Sequence, residues 1–379
     1  MYTYINGAIK EAIGKGKALM GKIPGARDLG IYFSPLATTA NSEIQSIITE
    51  LDYLYKDVDY NNPVNIRQKF YQFKRLAGKM TDIENVVIAA MSRKDKDDEF
   101  INKLVHEICK EIDYPLPTPV ASCLSQKYYH IYPFYNLICI PLLESEFLLH
   151  LPDIYHELGH PLLSLDNPKV EPMQHSLGYF NIEIKKHFDG EIERRIKNQT
   201  ASSEFDPIFI YKDSWFENWS SELFCDLYAT YTLGPAYAWS NLHMCTKMSW
   251  DVYKIPTYQK TSHPPDEARM KAILYALELI GFKDAAADIR QKWEEFKKII
   301  AAVKLDESEF AIAVPEHLLK SAAEHCLVGT KKIGSDIATP ETMHKVNSLL
   351  NGAWGQFWSN PEDFYNWETK AFSDFKATL

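Results

Sequence analysis

Residues 156–160 read His-Glu-Leu-Gly-His, with Asp153-Ile154-Tyr155 ahead of them and Pro161-Leu162-Leu163 behind. The apolar spacing predicts a helix over 153–163. Residues four apart on a helix share a face, so His156 and His160 present two imidazoles to one point. Zinc takes neutral imidazole nitrogen and prefers a tetrahedral set of donors, of which this pair supplies two. Glu157, beside the first histidine, can reach a metal-held water and is the candidate general base. Gly159 weakens the helix but leaves room close to the metal. Pro161 lacks the N–H that would bond to the Glu157 carbonyl, and a kink is expected just past the site. The plain alternative is an ordinary helix with two surface histidines.

A catalytic zinc needs a third protein ligand and keeps one position for water. Downstream lies Trp219-Ser-Ser-Glu-Leu-Phe-Cys-Asp-Leu-Tyr-Ala229, in which Glu222 and Asp226 stand one helical turn apart. Glu222 is the expected third ligand. Asp226 is expected to accept the second ring N–H of a ligand histidine, His156, and so fix its tautomer. Their neighbours Trp219, Leu223, Phe224 and Leu227 are apolar, so two unpaired acids here would be costly. The plain alternative is an acidic stripe on an amphipathic helix. Asp166, six residues after His160, competes for the ligand role, but Leu163 stands where such a turn needs glycine. A third stretch, Thr261-Ser-His-Pro-Pro-Asp-Glu-Ala-Arg269, starts a helix at its prolines. There His263, or else a tyrosine from the aromatic cluster, can donate to the oxyanion of a tetrahedral intermediate, and Arg269 can pair with Asp226 and keep it ionised.

HELGH, then ExxxD followed by alanine, then a His-Pro-Pro stretch ending in arginine, resembles the zinc peptidases of the HtpX and CAAX-prenyl-endopeptidase type. More broadly it resembles the gluzincins, whose metal is held by two His and one Glu. The likeness covers residues 150–272. It implies zinc on His156, His160 and Glu222, with His263 near the catalytic centre and Arg269 paired to Asp226. This chain shows no spanning segment, which argues against a prenylated membrane substrate. The expected fold is α+β and predominantly α: a zincin-like core with a small sheet, flanked by helical regions.

The rest of the chain is read outward from this core. A helical N-terminal region is expected over 1–125, the catalytic core over 126–281 and a helical C-terminal region over 282–379. Ser42 to Lys56 has helical apolar spacing with Asn41 or Ser42 as cap, and Thr81 with Glu84 fits a capping box. Pro115, Pro117 and Pro119 end the first region. Short strands are expected over 128–132 and 136–140, the second as an edge strand that an extended substrate could pair with or as a plain core strand. Gly7 to Lys22 is basic and weakly amphipathic, and reads as a solvated first helix rather than a membrane-surface one.

The 379 residues are 46% hydrophobic and 24% charged, the balance of a folded globular chain. A net charge of -10 argues against a nucleic-acid partner. No apolar run approaches a membrane span. The six cysteines form no CxxC pair and read as reduced thiols, so a cytoplasmic location is expected. The sequence therefore predicts a zinc-dependent peptidase acting on a protein or peptide. A catalytically silent metal-binding interaction module and a non-peptidase zinc hydrolase are the alternatives.

Overall fold

Helical periodicity runs through most of the chain, and the structure follows it. A computed structural model describes residues 2–60, 62, 65–93, 96–125, 128–141, 144–198, 206–249, 251–300, 307–342 and 344–379. The fold is mostly helical with one small mixed sheet. Packing divides the chain into two units: Met1–Lys103 with Pro119–Leu142, and Leu104–Thr118 with Leu143–Leu379. The boundaries expected at 125/126 and 281/282 fall inside these units. The reason is packing: Val120, Leu137 and Cys139 of the strands share one core with the N-terminal helices.

The first unit holds α1 (Tyr2–Met20), α2 (Ala26–Lys56), α3 (Ile66–Asp82), a π-helical turn over Ile83–Ile88, α4 (Ala89–Ser92) and the start of α5 (Lys96–Glu111). Ile5, Ile9, Ile13, Ile44, Ile47, Leu51, Leu76, Ile83 and Val87 form its core, so α1 buries an apolar face. Two expected caps fail, because the helices run straight through them. The Asn41 amide donates to the Ala37 carbonyl and the Thr81 hydroxyl to that of Ala77. Such back-bonding to residue i−4 is what these side chains do inside a helix.

Three strands complete this unit: β1 (Val120–Ser125), β2 (His130–Tyr132) and β3 (Leu137–Pro141). β3 lies in the middle, parallel to β1 (Val120 opposite Leu137) and antiparallel to β2 (Ile131 opposite Ile138). Leu137 to Ile140 are all buried, as a central strand requires. Asn136, at φ 50°, makes the left-handed turn into it. This corrects the edge-strand expectation, since both sides of β3 are already paired. β1 was not foreseen. α5 binds its outer side: Asn102 bonds to both the N–H and the C=O of Ala121, and Asp98 accepts from Cys123 N–H at 2.7 Å.

The second unit is built from α6 (Asp153–Ser164), α7 (Glu171–Lys197), α8 (Pro207–Ser214), a π-helical segment over Trp215–Trp219, α9 (Ser220–Leu233), α10 (Pro235–Met248), α11 (Asp266–Leu279), α12 (Lys283–Ile299), α13 (Glu307–Ala313), α14 (Glu316–Lys332), α15 (Lys345–Ser359) and α16 (Phe364–Lys376). α6 runs on through Pro161 to Ser164. Every residue of α9 from Leu223 to Leu233 is buried, as in a helix packed on all sides. α6, α7, α11 and α14 pack around it. Gly234 joins α9 to α10 at φ 84°, and a Cβ there would stand 3.3 Å from the Phe282 ring. Both the backbone and the space call for glycine. α12 buries Ala286, Ile289, Trp293 and Phe296 on one stripe. Each large side chain so buried contributes roughly 1.5–3 kcal/mol. Among the described residues no helix is long and apolar enough to cross a membrane.

Candidate metal centre

α6 and α9 are core helices, so the acids and histidines they carry sit where water is scarce. Their close approach begins at Gly159. A Cβ there would lie 2.9 Å from the Cys225 Cα and 3.0 Å from its Sγ. The glycine thus makes room for α9, where the sequence suggested room for a metal. Around it, α6 presents His156, one turn earlier and buried, and His160, the next residue and half-buried, with ring centroids 5.1 Å apart. Glu157 is buried beside them.

Asp226 lies opposite and is fully buried. The Arg269 guanidinium grips it through Nε at 2.8 Å and a terminal nitrogen at 2.7 Å. Tyr237 donates its hydroxyl to Asp226 Oδ1 at 2.5 Å, and His156 Nδ1 lies 2.8 Å from the same oxygen. Burial by itself would raise the Asp226 pKa, but Arg269 and His156 outweigh it and hold the carboxyl well below its usual range. With Asp226 ionised, His156 donates from Nδ1 and leaves Nε2 directed at Glu222.

Glu222 Oε2 stands 3.4 Å from His156 Nε2 and 3.4 Å from His263 Nε2. It is buried and has no hydrogen-bond partner. A buried carboxylate oxygen left between imidazole nitrogens fits a cation held among them. Burial raises the Glu222 pKa, yet His156 outweighs this and draws it down to about 2. Burial likewise lowers the His156 pKa, and Asp226 and Glu222 more than reverse it, lifting it to about 10. In the metal-free chain a protonated His156 balances the two acids.

The sequence-predicted residues His156, Glu222, Asp226, His263 and Arg269 are therefore linked by direct contacts. His160 and Glu157 lie on the same stretch of α6. His263 is half-exposed, with Ser262 Oγ 2.8 Å from its Nδ1. The Thr261 hydroxyl donates to the His263 carbonyl and accepts the Trp219 indole N–H at 3.0 Å, tying the loop to the start of α9. Two residues had no assigned place at the site from sequence. Tyr237 reads as one of an aromatic cluster that packs a core, and it comes from α10, a helix not foreseen. Cys225 was legible in principle, because it is three residues after Glu222 and shares its face. His156, His160 and Cys225 form a buried cluster whose donor atoms lie within 4.8 Å of one another, a group able to hold a metal ion. Compared with protein-family models, curated proteins and solved structures, the chain finds no match.

Proposed function

We propose that this chain is a zinc-dependent peptidase, with the metal held by His156, His160 and Glu222. One observation carries the reading: the buried Glu222 Oε2, which makes no hydrogen bond and stands 3.4 Å from the Nε2 of an imidazole whose Nδ1 is held by an ionised aspartate. The donor chemistry suits zinc, which accepts imidazole nitrogen and carboxylate oxygen. The order of the motifs, with its likeness to HtpX-type and CAAX-prenyl-type peptidases, supports the same reading.

Bound zinc supplies a Lewis acid and lowers the pKa of a water. The protein's own groups do the rest. Glu157, buried next to His156, takes a proton from the attacking water and passes it to the leaving amine. His263, half-exposed and steadied by Ser262, donates to the oxyanion. Asp226, Arg269 and Tyr237 hold His156 in the ligating tautomer. Tyr237 spends its hydroxyl on Asp226, so the oxyanion role falls to His263. The substrate class is a protein or peptide. The free, buried cysteines favour a reducing compartment, the cytoplasm.

The test joins metal analysis with hydrolysis of an unstructured peptide mixture. Wild-type protein carries one zinc and cleaves, and a chelator stops it. Glu157→Gln keeps the zinc and loses cleavage. Purified protein without zinc, or a Glu157→Gln variant cleaving at the wild-type rate, sinks the proposal.

A further inference from the structure

One buried thiol at the site has no part in the chemistry above. Cys225 is fully buried on α9, on the face that carries Glu222. Its Sγ and the nitrogens of His156 and His160 lie within 4.8 Å of one another. Zinc bonds imidazole nitrogen at about 2.0–2.1 Å and thiolate sulfur at about 2.3 Å, so shifts of about 1 Å bring all three onto one ion. The bare Cα of Gly159 lets the sulfur lie this close to α6, for a Cβ there would be 3.0 Å from it. A second observation is independent of the sulfur: the buried Glu222 Oε2, which makes no hydrogen bond and lies 3.4 Å from His156 Nε2.

We propose that Cys225 is a protein ligand of the metal, its thiolate joining His156 and His160. The inference rests on the metal-centre reading above. Coordination replaces the S–H bond by a sulfur–metal bond, and the proton passes to solvent. With Glu222 the set then counts four protein donors, a closed sphere of the kind found in structural sites. Water would gain a position when the sulfur withdraws, so the sphere would be closed at rest and open during turnover. A thiolate donor also selects zinc over magnesium, calcium and manganese, which favour oxygen.

X-ray absorption at the zinc edge of the full-length, zinc-loaded chain tests this without relying on activity. The expected result is one sulfur at about 2.3 Å among nitrogen and oxygen donors, lost in Cys225→Ser while zinc is retained. Zinc bound by nitrogen and oxygen alone in the wild type overturns the thiolate ligand and leaves the metal centre standing. A sulfur signal that persists in Cys225→Ser overturns it as well. Failure to bind zinc at all removes both. Should the serine variant not fold, the wild-type spectrum decides alone, because Cys225 is the one cysteine grouped with the histidines among the described residues.

Discussion

Asp226 is the most committed residue of the site. It is a buried charge with three side chains converging on it, and each removal has a different cost. Arg269→Ala takes away the positive charge in direct contact with Asp226 that persists when His156 is neutral, as a ligand must be. The carboxylate is then stranded in the core, at about 3–5 kcal/mol of stability. Tyr237→Phe removes one hydrogen bond while the guanidinium stays, at about 0.5–1.5 kcal/mol. Urea unfolding of the zinc-loaded variants measures both, and equal losses would contradict this ordering. Asp226→Asn weakens the grip on the His156 tautomer, and a zinc titration is expected to show about 10–100-fold lower affinity.

At the scale of elements, the geometry turns on how closely α6 and α9 approach. Gly159→Ala places a methyl 2.9 Å from the Cys225 Cα, and backbone cannot yield as a flexible side chain would. The helices must part. Overpacking of this kind costs about 1–3 kcal/mol, and parting them carries Glu222 and Cys225 away from the imidazoles. Lower thermal stability together with weaker zinc binding is expected, whereas wild-type values for both would show that the contact is slack. The same pair of helices shows what the sequence made legible. A spacing of four residues set His156 over His160, and Glu222 one turn before Asp226, because helix geometry is local. The start of α11 at Pro264-Pro265 was legible for the same reason. The missed elements depend on distant partners. β1 is held by Asn102 and Asp98 from α5, and β3 became a central strand only through pairing on both sides. α10 is the exception, because Gly234-Pro235 is a local signal for one helix ending and the next beginning.

The stability of the whole molecule is set to respond to pH through two sets of groups, one away from the metal centre and one within it. His150 and His243 stand with ring centroids 5.2 Å apart, and Lys247 Nζ lies 3.1 Å from His150 Nε2. Glu144 faces His150 at 3.7 Å, too far to offset the rest. Burial, reinforced by Lys247, lowers both histidines from 6.5 to about 4. Between those values the unfolded chain binds more protons than the folded one, so unfolding free energy rises with pH. Their contribution is whole above pH 6.5 and drains away as pH falls toward about 4. Glu222, held at about 2 against an ordinary 4.5, acts lower: its contribution is present above 4.5 and lost as pH falls toward 2. The two windows barely overlap, which makes them separable. Urea midpoints of the metal-free protein are expected to fall between pH 6.5 and 4, and a His150→Gln/His243→Gln double variant to flatten that limb while keeping the steeper loss below it. An unchanged slope in the double variant would mean that other groups take up those protons.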